Sequence, residues 1–172
     1  FNNSGGEDGS DVIHVAGYGV NAWGGADNDF ISVTGNAGYV DGQWGDDTII
    51  LSGGYGWSYG GDGDDTLIAA GTGNYLHGGV GNDVFDATGN YNVLIGGDGN
   101  DAMFVSGTGN VIYGGVGADT ITSVGNSQDI WGEDGNDTMT VAGNWGDAYG
   151  GWGDDLIIAS GDGNYLHGGV GN

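Results

Sequence analysis

Nine aspartates recur at 18-residue intervals: Asp11, Asp29, Asp47, Asp65, Asp83, Asp101, Asp119, Asp137 and Asp155. Each closes a glycine-rich hexapeptide, seen most clearly in GGVGND at 78–83, GGDGND at 96–101 and GGVGAD at 114–119. Glycine at the first, second and fourth places of the hexapeptide permits backbone torsions that strain any residue with a Cβ, so carbonyl oxygens can turn toward one point. Carbonyl and carboxylate oxygens without imidazole or thiolate suit a hard cation, and Ca²⁺ tolerates irregular oxygen cages that Mg²⁺ does not. The nine aspartates are the candidate metal ligands. Carboxylates stacked about one strand spacing apart repel one another unless a cation lies between them. A merely solvated acidic face would have no use for the glycines.

The elements that must position these carboxylates follow from the same period. Units of 18 residues begin at Gly6, Gly24, Gly42, Gly60, Gly78, Gly96, Gly114, Gly132 and Gly150, and a tenth opens at Gly168. Unit positions 1 and 12 are always glycine, and position 6 is always aspartate. Position 8 is apolar throughout: Ile13, Ile31, Ile49, Leu67, Phe85, Met103, Ile121, Met139 and Ile157. Residues of mixed polarity flank it, which describes a short strand with one side turned inward. Positions 10 and 17 trade volume within a unit, Leu51 with Ser58, Ala87 with Leu94 and Ser123 with Ile130. Such compensation is expected across a thin, close-packed interior. Each unit then reads as one coil, in which a glycine-rich turn over positions 1 to 6 leads into a strand, a second turn and a second strand. The expected fold is all-β: a right-handed parallel β-roll or β-solenoid with 18 residues per coil and nine full coils, a rod of roughly 43 Å. Residues 6–167 form the nine coils, 1–5 end a preceding coil and 168–172 start a following one.

Composition removes several functions. The 172 residues include 24 acidic and no Lys or Arg side chains, a formal charge of -24. Without a cation to meet phosphates, neither nucleic acid nor an anionic membrane surface is an expected partner. There is no cysteine, and no apolar run approaches the ~20 residues that span a bilayer, so membrane insertion is not expected. Glycine at 44 residues would suggest disorder in a chain without a register, but this register argues against it.

The motifs GGVGND, GGDGND, GGVGAD, GGDGDD at 60–65 and GGWGDD at 150–155 resemble the RTX (repeat-in-toxin) family, the calcium-binding parallel β-roll of secreted bacterial toxins, proteases, adhesins and surface-layer proteins. The resemblance implies several Ca²⁺ ions held by the nine aspartates, and a secreted, extracellular or cell-surface location. One departure stands out. The second half of each unit, TGNYNVLI at 88–95 for example, has no acidic counterpart of position 6. Position 15 instead offers Asn74, Asn92, Asn110, Gln128 and Asn164, an amide ladder able to hydrogen-bond from coil to coil without metal. The expectation is one calcium edge and one metal-free edge. Asp27 at a glycine place, and Glu7, Gln43 and Glu133 at position 2, also depart from the family pattern.

Aromatic and apolar residues are expected on both outer faces, including Trp57, Tyr59, Tyr75, Tyr113, Trp131 and Tyr149 on one and Phe30, Ile50, Phe104 and Ile158 on the other. Lateral or end-to-end self-association is the leading expectation, with ordinary cross-strand stacking as the simpler account of the rings. The leading function is structural: a calcium-stabilised extracellular segment of a filament, surface layer or adhesin stalk. The alternatives are a carbohydrate- or ice-binding module, with polysaccharide as the partner, and a folding or secretion module of a larger secreted enzyme. His14, His77 and His167 are dispersed, and no catalytic constellation is expected.

Overall fold

A computed structural model describes residues 3–36 and 38–171. Residues 1, 2 and 172, at the outer ends of the two expected partial coils, lie outside the described ones, as does residue 37. Every described strand pairs in parallel, and none of the described residues is helical. The strands form a ten-stranded and a nine-stranded sheet whose neighbours are one 18-residue coil apart, as in Phe85 opposite Met103 and Leu94 opposite Ile112. This is a β-solenoid of about nine turns.

One coil illustrates all. Val84–Thr88 is a five-residue strand of the narrower sheet, residues 89–92 turn, Val93–Asp98 is a six-residue strand of the wider sheet, and residues 99–101 turn back. The glycine-rich turn is thus shorter than the sequence suggests, because unit positions 1 to 3 continue the wider sheet. The physical reason is a kink within the strand. Position 2 has positive φ, 120° at Gly97 and 118° at Gly115, and position 1 drops out of the ladder register between Ile95 opposite Tyr113 and Gly97 opposite Gly115. An irregularity of this kind bends a strand without ending it.

The core is one continuous column. All position 8 side chains except Ile157 are buried, as are Val33, Leu51, Val105 and Val141 at position 10 and Val40, Leu76, Leu94, Ile112 and Ile130 at position 17. Both members of the volume-trading pairs Leu51 with Ser58 and Ser123 with Ile130 are buried. The rings on the wider sheet stack across strands: Tyr113 on Trp131 at 4.9 Å and Trp131 on Tyr149 at 5.7 Å, with their planes nearly parallel.

Side-chain ladders lock the coils at their edges. At position 15, Asn74, Asn92, Asn110 and Gln128 are fully buried. The Asn92 oxygen accepts the Asn74 backbone N–H at 2.8 Å, and the Asn110 oxygen accepts that of Asn92 at 2.8 Å. The amide edge expected from sequence forms. An exposed ladder at position 5 runs the other way, with Asn82 accepting from the Asn100 backbone N–H and Asn100 from that of Ala118. Burial separates the two. Asn92→Ala leaves the Asn74 N–H unpaired away from water and should cost about 1–3 kcal/mol, whereas water can replace Asn100 in Asn100→Ala, for about 0.5 kcal/mol or less. Thermal unfolding in saturating Ca²⁺ checks this, and equal losses would contradict the ladder's role.

Candidate metal centre

The three-residue turn ends on the position 6 aspartate, whose side chain points inward. Asp29, Asp47, Asp65, Asp83, Asp101, Asp119 and Asp137 are all buried, at 3 % exposure or less, and the two end members Asp11 and Asp155 are half-buried. The sequence predicts a carboxylate at each coil edge. The structure keeps the edge but turns the group into the interior, because the two-residue alternation that buries positions 8 and 10 extends back to position 6.

Each carboxylate from Asp29 to Asp155 has two fates. Its Oδ1 accepts the backbone N–H of the aspartate one coil earlier, at 2.7–2.9 Å, from Asp11 on Asp29 through Asp137 on Asp155. Its Oδ2 is buried without a hydrogen-bond partner in Asp29, Asp47, Asp65, Asp83, Asp101, Asp119, Asp137 and Asp155. The space beside Oδ2 is held open by the glycine at position 1. A Cβ on Gly78 would fall on Asp83 Oδ2 and 2.7 Å from the carbonyl oxygen of Gly96, and Gly60, Gly96, Gly114 and Gly132 repeat the arrangement. A carboxylate oxygen and a carbonyl oxygen of the next coil therefore converge on a place that only glycine leaves free.

Electrostatics make this column costly as it stands. Burial pushes the carboxyls of Asp47, Asp83, Asp101, Asp119 and Asp137 up to about 6 and that of Asp65 to about 7, with neighbouring acidic groups adding to the rise and the backbone hydrogen bonds opposing it. The chain has no Lys or Arg to compensate. Among the described residues no three acidic or histidine side chains gather around one point, so carboxylates alone do not form a cage. The available donors are a repeating set of aspartate Oδ2 and glycine carbonyl oxygens. Oxygen-only donors with uncompensated negative charge fit a hard divalent cation.

The glycine-to-aspartate spacing that builds this column is also what a family comparison detects. The family model for RTX calcium-binding nonapeptide repeats (four copies) matches residues 59–94, 77–107, 95–123, 129–147 and 149–172, more than half of the chain. The chain belongs to that family. No curated protein and no solved structure matches it. Membership in the RTX family implies Ca²⁺ binding, and the residues of this chain that fit the ion are the position 6 aspartates with the position 1 glycine carbonyls. When bound, the ion would supply the positive charge that the chain lacks. The family match starts at residue 59, after the coils that carry Glu7, Asp27 and Gln43 in place of glycine. Asp27 and Gln43 nevertheless adopt φ of 71° and 81°, and Glu133 76°, so the stacked coils impose the glycine-like backbone on these residues too.

Two features were not foreseen from sequence. One is the exposed position 5 ladder, signalled only by its Asn and Asp content. The other is a set of exposed aromatics, Tyr55, Tyr91 and Trp145, held at φ of 57–61° with their rings over Gly73, Gly109 and Gly163 of the next coil.

The raised carboxyl values fix a pH dependence. Unfolded aspartates titrate near 4, so between about pH 4 and 7 the metal-free folded chain holds more protons than the unfolded one. The stability this contributes is complete below about pH 4 and is lost as pH rises through 6 to 7. In chelator, circular dichroism should therefore show more β structure at pH 4.5 than at pH 8. A β signal in chelator that grows as pH rises over this range would contradict the buried column.

Proposed function

We propose that this chain is a non-catalytic, calcium-stiffened structural segment that works outside the cell, a solenoid stretch of a bacterial filament, surface layer or adhesin stalk. The observation that carries this reading is the column of buried, unpartnered Oδ2 atoms in a chain without a basic side chain. Such a column couples folding to a divalent cation, and modules that work outside cells bind Ca²⁺ with Kd of about 10⁻⁴–10⁻³ M. No helix of the described residues is long and apolar enough to cross a membrane. The nine position 6 aspartates are the proposed ligands, several ions lying along that edge and none along the amide edge.

Self-association is the second part of the proposal. Phe104 and Ile158 on the narrower sheet and Trp152 on the wider one are about half exposed or more. Lateral contacts between rods would cover these groups.

Two experiments test this function. At pH 7.5 in chelator, circular dichroism should report an expanded chain that mM Ca²⁺ folds cooperatively; a β spectrum indifferent to Ca²⁺ would defeat the reading. Asp101→Asn keeps the acceptor oxygen and removes the charge, so it should fold more readily than the parent without Ca²⁺ and bind fewer ions. For association, sedimentation in Ca²⁺ should show assemblies that Phe104→Ser combined with Ile158→Ser reduces. Strictly monomeric parent rods at high concentration would remove the filament.

A further inference from the structure

Position 2 of the unit faces the outer side of the wider sheet, and four successive coils carry glycine there: Gly61, Gly79 and Gly97, which are half-buried, and Gly115, which is buried. A Cβ at any of them would collide with the carbonyl oxygen of the coil before. The sheet therefore has a trough with a bare backbone floor. Two adjoining concavities that share Gly97 and Asp98 run along it, one reaching Tyr39 and the other Glu133. At the two ends of this floor stand Gln43 and Glu133, so the trough extends over roughly 20 Å parallel to the rod axis.

The two walls differ. One bears Tyr59 and His77, with Tyr59 packed 5.5 Å from Tyr39, 5.8 Å from Tyr75 and 5.8 Å from His77. The other bears exposed Asp62, Asp98 and Asp134 on alternate coils, with Val80 and Val116 between them. Carboxylates on alternate coils are about 9.6 Å apart along the axis, close to the length of one disaccharide in an extended β-linked chain. Asp41, held by the Tyr39 hydroxyl at 3.0 Å, and Glu133 add negative charge at the two ends. Burial lowers the His77 pKa, so its ring is neutral at pH 7 and adds no opposing charge.

We infer that this trough binds an extended, β-linked oligosaccharide of amine-bearing sugars. Aromatic faces suit the apolar faces of sugar rings and attract ammonium groups. Carboxylates at the disaccharide interval accept hydrogen bonds from, and pair with, every second amine. Anionic polysaccharides are repelled by the same wall. This site is separate from the buried aspartate column, and it needs the folded rod but not the filament.

The test is titration calorimetry with the Ca²⁺-loaded chain, its fold checked by circular dichroism. The probes are a β-1,4-linked glucosamine hexamer, its fully N-acetylated form and a β-1,4-linked glucose hexamer. Saturable binding of the glucosamine hexamer is expected, with both amine-free hexamers weaker. Asp98→Asn and Tyr59→Ala should each weaken it by about three- to tenfold. Asp86→Asn, which removes an exposed carboxylate from the opposite sheet, should leave it unchanged. Equal losses from Asp86→Asn and Asp98→Asn would show diffuse attraction of a polycation to an acidic rod and overturn the site. Equal binding of the N-acetylated hexamer would overturn the amine specificity, and absence of saturable binding would remove the proposal while leaving calcium-dependent folding untouched.

Discussion

The rest of this structure depends on one unfavourable interaction, the stacking of buried carboxylates from coil to coil in a chain that has no basic side chain. A parallel solenoid places the same residue above itself at every turn, so any charge at an inward position becomes a column of like charges. The Asp29-to-Asp137 column accepts this, and half of each carboxylate is used well: Oδ1 ties the backbone of the preceding coil. The other half, Oδ2, remains buried and unpaired. A group in that state is stabilised by a proton or by a cation. Family membership favours the cation.

The opposite edge shows what the same architecture does without charge. Asn74, Asn92 and Asn110 perform the Oδ1 role with an amide oxygen, and their coils stack in the same register. Hydrogen-bond geometry is therefore not the reason for aspartate at position 6, since asparagine supplies it. What aspartate adds is the free anionic oxygen and, with glycine at position 1, a space beside it. The two edges divide the work, one holding coils together in any medium and the other making the rod responsive to its ionic surroundings.

Much of this was legible in the sequence because a strict period turns one residue into a column. The apolar column from Ile13 to Met139, the aspartate column and the amide ladder all follow from reading the chain in steps of 18. Two things were obscured by ordinary propensities. Paired glycines read as a turn, whereas Gly96 and Gly97 lie within the strand Val93–Asp98, kinked by a positive φ that glycine takes without strain. Aspartate reads as surface, yet parity with the inward positions 8 and 10 already pointed it inside. The trough on the wider sheet escaped because it is made by what four glycines lack, and its walls include Tyr59, His77 and Asp134, which lie 20 to 38 residues from the floor glycine Gly97.

The central claim is that the buried Oδ2 column is the calcium site. The most direct measurement is a crystal structure of the Ca²⁺-loaded chain with anomalous scattering at long wavelength. The account predicts a file of anomalous peaks along the position 6 edge, each about 2.3–2.6 Å from aspartate Oδ2 atoms, and none beside Asn74, Asn92 and Asn110. Peaks confined to the exposed carboxylates of positions 3 and 5, with the Oδ2 column bare, would contradict it.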